Sequence, residues 1–432
     1  MAPARKTSGR SVTAPDSCTT RRITRRRFLS TAAVGGAALA AGARLGEWLQ
    51  TPPPLGKTGW TGIPAVLAAG PVKVGLLVSY SKVYGQLGED ITDGMTLYFD
   101  SVNWTGGGRR ISWIREDEEI DPQVGVRKTR KLIEADQVDV LTGIVSTATA
   151  YAIRDMVHNS KTALVVSNAG GNLLTRARKS PYIFRASFTS WQVSYPFGKW
   201  FYSNVAREAA LTAANYGFGT ESIAAFKESF VPAGGKVLGE VFPPLNNTDY
   251  APYITQVQKM NPEALYNFYS GSDAVRFVAQ AAQYGLTRTA RLTGAGFMVE
   301  HDVLPAEGES ALGIYSPLHW ALALQNKENL AFTRAYKDRF KRDASVFAVQ
   351  GFDAARVIVE ALNHTNGDTS DKDKLIAALA SVRFASPRGP FEFDPNTHNV
   401  VQSIYVRQVR RVGKTIANVV FENLGRIADP GK

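Results

Sequence analysis

At 432 residues, 44% hydrophobic and 20% charged, the chain is long enough for two full cores, and its composition excludes wholesale disorder. The formal charge of +12 is uneven: residues 1–43 hold eight Lys or Arg against Asp16 alone, leaving 42 basic and 37 acidic side chains beyond them, a net +5. That mixed surface, with no arginine-rich stripe and no interleaved aromatic platform, argues against a nucleic-acid partner.

The N-terminal run Thr24-Arg25-Arg26-Arg27-Phe28-Leu29-Ser30 precedes a small-residue apolar stretch, Thr31 to Ala43, too short to span a bilayer as a helix. Residues 1–43 are therefore expected to be a signal peptide, and the paired arginines followed by Phe-Leu resemble the twin-arginine export signal. Ala41-Gly42-Ala43 supplies the small side chains of a cleavage site near Ala43. The expected location is periplasmic or extracytoplasmic, with no membrane insertion after cleavage. The one cysteine, Cys18, falls in this leader, so a mature chain has no disulfide, thiolate nucleophile or lipid-anchoring cysteine. Residues 44–71, with Pro52-Pro53-Pro54, form a linker.

From Val72 onward, short β-type runs alternate with helical patterns, which predicts parallel sheets covered by helices. Val72 to Val78 is apolar enough for a buried central strand. A loop over Ser79 to Gly88 follows, then a helix with Ile91, Gly94, Met95 and Tyr98 on one face. Gly106-Gly107-Gly108 turns into Ile111 to Arg115, Asp121-Pro122 opens a charged helix, and Val138 to Ile144, Ala163 to Ser167 and Tyr182 to Arg185 are further strands. The theme restarts with Ala209 to Thr212, Val237 to Phe242, Ala264 to Tyr269 and Arg291 to Thr293. A late helix carries Ala354, Val357, Ile358 and Ala361, and Ser403 to Val409 is the final strand. Two doubly wound, Rossmann-like α/β units are expected side by side, with ligands beyond the carboxyl ends of their strands.

Several stretches resemble the branched-chain amino acid-binding family, the periplasmic receptors of ATP-driven importers. They are Val72 to Val78 with Tyr84-Gly85, Glu116-Asp117 through Asp121-Pro122 to Lys131-Leu132-Ile133, Val138-Asp139 with Gly143, Tyr216-Gly217-Phe218-Gly219, Asp249-Tyr250, and Phe268 to Ala274. The resemblance covers Val72 to the C-terminus and implies a type I periplasmic binding protein, a two-lobed clamp with a three-crossing hinge. By analogy one lobe is 72–189 plus 319–400 and the other 190–318 plus 401–432. The crossings then fall near Ser187 to Ser190, Ser316 to His319 and Val400 to Ser403. It also implies an importer permease and its ATPase subunits as partners.

Carried over residue by residue, the resemblance places Ser146-Thr147 in the loop that meets the ligand's carboxylate, with Thr147 either offering its hydroxyl or capping the following helix. Asn168 to Asn172 matches a second carboxylate contact at Ala169 and Gly171, although the hydroxyl usual at Gly171 is missing. Tyr84, Tyr216, Tyr269 and Ser270 match positions that wall the cleft. In Thr293-Gly294-Ala295-Gly296, Ala295 stands where amino-acid binders place an acid for the ammonium. A zwitterion then needs another acid, such as Glu300, Asp302 or Asp353, and amides, urea-like molecules and aromatic or other carboxylates are the alternatives. Trp191-Gln192 and His319-Trp320, at two expected crossings, either stack on a flat ligand and hydrogen-bond its edge or pack the hinge.

Enzymatic readings find little support. The histidines, His158, His301, His319, His364 and His398, show no metal-ligand spacing. Neither a nucleophile elbow nor a phosphate-binding glycine loop appears, and Tyr216-Gly217-Phe218-Gly219 is no dinucleotide fingerprint. No cofactor, metal or catalytic residue is expected. A signalling receptor built on the same clamp, or a hydrolase using the same cleft, are the remaining alternatives.

Overall fold

The first sheet comprises β1 (Val72–Val78), β2 (Thr105–Gly106), β3 (Arg109–Asp117), β4 (Val140–Gly143), β5 (Ala163–Val166) and β6 (Ile183–Arg185), ordered β2-β3-β1-β4-β5-β6. All pairings are parallel except the short β2–β3 hairpin. The interior place belongs to β1, which is buried at every position but Lys73, as a strand covered on both faces must be. This computed structural model describes residues 70–432; the leader and all of the linker but Gly70 and Pro71 lie outside the described residues. Among the described residues, no helix is long and apolar enough to cross a membrane.

Helices α1 (Gly85–Ser101), α2 (Pro122–Arg130) and α3 (Thr147–Ser160) join the early strands, and α4 (Ser190–Asn204) leads to the second sheet. The Asp121 side chain caps α2 by accepting from Gln123 N, with Pro122 in the first helical position, where its missing N–H costs nothing. The sequence placed a loop as far as Gly88, but α1 already begins at Gly85. Gly88 marks a close approach instead: a Cβ there would lie 1.8 Å from the Ser79 carbonyl oxygen.

The second sheet contains β7 (Glu208–Ala213), β8 (Lys236–Val241), β9 (Ala264–Phe268), β10 (Arg291–Gly294), β11 (Tyr315–Leu318), β12 (Arg383–Ser386), β13 (Gly389–Phe393), β14 (Val400–Val412) and β15 (Thr415–Ile427). Its order is β8-β7-β9-β10-β11-β14-β13-β12, with β15 also on β14. The first five strands run parallel and the rest antiparallel. The single closing strand expected over Ser403 to Val409 is in fact the β14–β15 hairpin. Register shifts at Ser403/Tyr405 and Val406/Arg407 break the two-residue period by which such strands are recognised.

The expected two-lobed α/β architecture is observed, built on these two sheets; β12 and β13, although they fall within the 319–400 segment expected in the first lobe, join the second sheet through β14. Strand order reverses at β1, between β3 and β4, and at β7, between β8 and β9. Both reversals open a crevice beyond the carboxyl ends of the parallel strands.

Helices α5 (Gly217–Phe230), α6 (Ala251–Lys259) and α7 (Ser272–Gln283) belong to the middle of the chain; α8 (Lys327–Phe340), α9 (Val346–His364) and α10 (Lys372–Ser381) follow β11. The α9 helix is seated on α1 through two glycines. A Cβ on Gly94 would meet the Ala348 carbonyl oxygen at 1.9 Å, and one on Gly351 the Ile91 carbonyl oxygen at 2.0 Å. Gly351→Ala is therefore expected to separate the helices and destabilise the chain by about 1–3 kcal/mol, read from the urea unfolding midpoint; an unchanged midpoint contradicts this packing.

Candidate functional site

The strand ends of the two sheets line a half-open cavity with about 300 Å³ of space between atoms, much of it continuous with solvent and about 20 Å³ of it free for a solute as the lobes now stand. The first lobe contributes Tyr84 and Leu87 beyond β1, Val145 and Thr147 beyond β4, and Asn168 and Gly170 beyond β5. The second contributes Tyr216 and Phe218 beyond β7, Phe268 and Ser270 at the end of β9, and Phe297 beyond β10. Phe188, just before α4, and Phe347, in the first turn of α9, complete the wall. Tyr84 Oη donates to Tyr216 Oη at 3.0 Å, so the two lobes touch over the cavity. Burial raises both phenols far above their ordinary pKa and keeps them protonated. Beside them Gly271, at φ +57, leaves room that a Cβ would fill, 2.1 Å from the Val83 carbonyl oxygen.

Five of the sequence candidates thus line the cavity: Tyr84, Thr147, Asn168, Tyr216 and Ser270. The others stand elsewhere. Ser146 is the N-cap of α3, its side chain accepting from Thr149 N, so the capping alternative for Thr147 belongs to its neighbour. The Ala169 amide, expected to face the ligand, already donates to the Ile144 carbonyl at 2.9 Å, whereas the next two amides, of Gly170 and Gly171, meet no acceptor among the described residues. The missing hydroxyl at Gly171 has a steric cause: a Cβ would lie 2.3 Å from Tyr151 Oη and 2.4 Å from Thr147 Cγ2.

Tyr269 points the other way. Alternate residues of a strand face opposite sides, so Phe268 and Ser270 turn to the cavity while Tyr269 packs on Phe277 at 4.3 Å, its hydroxyl 2.5 Å from Thr212 Oγ1. Ala295 is buried off the wall, its amide on the Asn267 carbonyl at 2.9 Å; Phe297 takes the wall position. Trp191 is not a stacking platform for a ligand. Its ring lies on Tyr195 at 4.3 Å with the Arg176 guanidinium 5.7 Å away, and its Nε1 donates to Glu228 at 3.0 Å.

Trp320 is likewise committed, donating to Asn329 Oδ1 at 2.7 Å. His319 lies behind Phe188, ring centroids 5.3 Å apart. Its Nε2 is 3.2 Å from Gln350 Nε2, and Gln350 Oε1 accepts from Asn168 Nδ2 at 2.7 Å. Burial, reinforced by Arg388 and Arg407, lowers the His319 pKa well below its ordinary value. The imidazole is neutral at physiological pH and buttresses the cavity through Gln350.

None of the three acids named as possible ammonium partners lines the cavity. Glu300 pairs with Arg407 at 2.6 Å and accepts from Val346 N at 3.1 Å. Burial alone would raise its pKa, but Arg407 and His301 together outweigh burial and hold it at about 2. Asp353 pairs with Arg388 at 2.7 Å. Asp302 has no hydrogen-bond partner among the described residues, and burial, then the nearby Asp90 and Glu300, raise its pKa well above the ordinary value. No charged side chain appears among the residues lining the cavity.

Sequence reasoning missed five phenylalanines on the wall: 188, 218, 268, 297 and 347. Phe218 and Phe268 sit inside the very strings that carry the family resemblance, one or two residues from the tyrosines chosen instead. It also missed Glu221, on α5, which accepts from Tyr151 Oη and Asn172 N at 2.5 Å each and from Ser190 Oγ at 3.0 Å. That carboxylate ties α5 to α3 at the cavity edge.

Residues 71–414 match the periplasmic binding protein family. Over 83% of its length and 93% of the relative's, the chain is 27% identical to Leu/Ile/Val-binding protein homolog 6 of Brucella melitensis. A solute-binding protein of an ABC transporter from R. palustris, in complex with benzoate, is 33% identical with a TM-score of 0.80, covering 84% of this chain and 99% of that one. A solute-binding protein from Rhodopseudomonas palustris BisB5, in complex with 3,4-dihydroxy benzoic acid, gives the same identity, TM-score and coverage.

Beneath the cavity, the segments linking the sheets are tied by buried polar groups. Arg388 Nε donates to Asp353 at 2.7 Å, Nη1 donates to the Ser187 carbonyl and to Gln402 Oε1 at 2.8 Å each, and Nη2 donates to the Ala186 carbonyl. Gln402 Nε2 also donates to the Ser187 carbonyl at 2.8 Å, and Arg185 Nε to Asn399 Oδ1 at 2.7 Å. Removing the one anion from this cluster strands a buried cation. Asp353→Ala is expected to lower stability by about 3–5 kcal/mol in urea unfolding, and a loss below about 1 kcal/mol contradicts the pairing.

Proposed function

The chain belongs to the periplasmic binding protein family, and we propose that it captures an aromatic carboxylate between its two lobes. The carrying observation is the cavity wall: seven aromatic rings, the polar groups of Thr147, Asn168 and Ser270, and no charged side chain. An amino acid would bury its ammonium there with no counter-charge, at a cost of several kcal/mol. An aromatic acid brings one negative charge and a flat apolar body. Thr147, the Gly170 amide and the first turn of α3 receive the charge, since a helix N-terminus favours anions. Phe218, Phe268 and Phe297 enclose the ring, where aromatic pairs add to area burial. The benzoate and 3,4-dihydroxy benzoic acid complexes of the two structural relatives support this class of ligand; the Leu/Ile/Val-binding relative points to the amino acids that the missing acid disfavours.

The lobes are assigned as 72–189 plus 319–400 and 190–318 plus 401–432, with crossings near 187–190, 316–319 and 400–403; the Arg388 and Gln402 bonds to the Ser187 carbonyl support two of these. A ligand touching both lobes favours the closed form. That form then docks on the permease of an ABC importer, with its ATPase subunits supplying energy. The chain reaches the periplasm by its twin-arginine leader and releases its solute chemically unchanged.

In titration calorimetry, benzoate and 4-hydroxybenzoate are expected to bind and leucine not to. Thr147→Val is expected to weaken benzoate binding by about 1 kcal/mol or more through the lost hydrogen bond. Tighter binding of leucine than of benzoate, or recovery of an altered product, contradicts the proposal.

A further inference from the structure

The loop that carries Thr147 is held from behind by a carboxyl group that does not line the cavity. Glu118, directly after β3, is fully buried. Its Oε1 accepts from Ser79 Oγ at 3.0 Å, Val145 N at 2.9 Å and Ser146 N at 2.8 Å, while Oε2 has no partner among the described residues. Those two amides immediately precede α3, and Ile144 just before them has a φ of +65, a conformation a β-branched residue holds only under outside constraint. The Ile144 N–H on the Leu77 carbonyl at 2.6 Å and the Ala169 amide on the Ile144 carbonyl at 2.9 Å hold one side of this turn, and Glu118 holds the other through Val145 N and Ser146 N, next to Thr147.

We infer that Glu118 is a positioning residue for the ligand's carboxylate and that it takes up a proton when an anion binds beside Thr147. This rests on the aromatic-carboxylate reading. If Glu118 stayed ionised, two negative charges would lie one or two residues apart in a buried region whose cavity wall offers no cation. The groups around Glu118 do not relieve this. Ser79 from the end of β1 and Val145 and Ser146 from the loop before α3 are neutral. Its chain neighbours Asp117 and Glu119 and the α2 cap Asp121 are acids. Asp117 Oδ1 already accepts from the amides of Tyr80 and Glu119, and Lys82 pairs with Glu119 at 3.9 Å.

Burial raises the Glu118 pKa to about 7, against the pull of the hydrogen bonds from Ser146, Val145 and Ser79. An anion at Thr147 raises it further. Affinity is therefore full below pH 7 and falls as pH rises through 7, because the proton that binding requires becomes scarcer; the ligand's own carboxyl stays ionised throughout. A one-unit upward move on binding makes the dissociation constant about fivefold larger at pH 8 than at pH 6.

The test is calorimetric titration of the purified chain with benzoate from pH 6 to pH 8, in buffers of different ionisation heat. Net proton uptake at pH 7–8 and the fivefold change are expected in the wild type. Glu118→Gln, which keeps an acceptor for the same three donors, is expected to bind benzoate without either effect. Benzoate binding with no proton uptake in the wild type overturns the inference and leaves the ligand reading standing, even should the variant fail to fold; so does uptake that persists in the variant. No binding of benzoate or 4-hydroxybenzoate at any pH removes the ligand reading, and this inference with it.

Discussion

The guanidinium of Arg388 is buried and bonded by Asp353, Gln402 and the carbonyls of Ala186 and Ser187. A buried cation is tolerable only when paired and hydrogen-bonded on every side, so stretches of chain far apart in sequence must converge on this point. Asp353 lies on α9, which one turn earlier offers Gln350 to Asn168 and His319, and one turn before that presents Phe347 to the cavity. Spacings of three residues keep side chains on one helix face. The ion pair under the cavity, the amide relay behind it and part of its wall therefore stand on a single helix, and misplacing that helix disturbs all three.

Charge is distributed accordingly. Glu300 and Arg407, like Asp353 and Arg388, are paired with each other, away from the residues that line the cavity. Polarity at the wall comes from hydroxyls, an amide side chain and backbone N–H groups around Thr147 and Gly170. Dipoles of this kind suit a solute with one charged end and one apolar end. They leave a second charge of opposite sign unmet.

Much of the architecture was legible because strand and helix periods are written locally: β1 is continuously apolar, and the alternation of strands and helices gives parallel sheets. The absence of an acid at Ala295 was also legible, and with it the doubt about a zwitterion. Which of two adjacent aromatics faces the cavity was not. In β9 every residue is buried, so no polar face reveals the parity, and the sequence points to Tyr269 beside Ser270 where Phe268 and Ser270 look inward. The outward packing of Trp191 depends on Arg176, Tyr195 and Glu228, and the room denied at Gly171 depends on Tyr151; such contacts join α3, α4 and α5 only after folding. The β14–β15 hairpin was half seen because its bulges scramble the alternation that marks a strand.

The contact of α1 with α9 through Gly94 and Gly351 has a mechanical consequence. Two helices that meet backbone to backbone have no side-chain cushion to compress, so the sheet below them and the Phe347 wall above behave as one slab. Space for a bulkier guest can then come only from swinging the opposite jaw outward, which loosens the seal between Tyr84 and Tyr216. Tolerance toward larger solutes and completeness of enclosure are thereby set against each other.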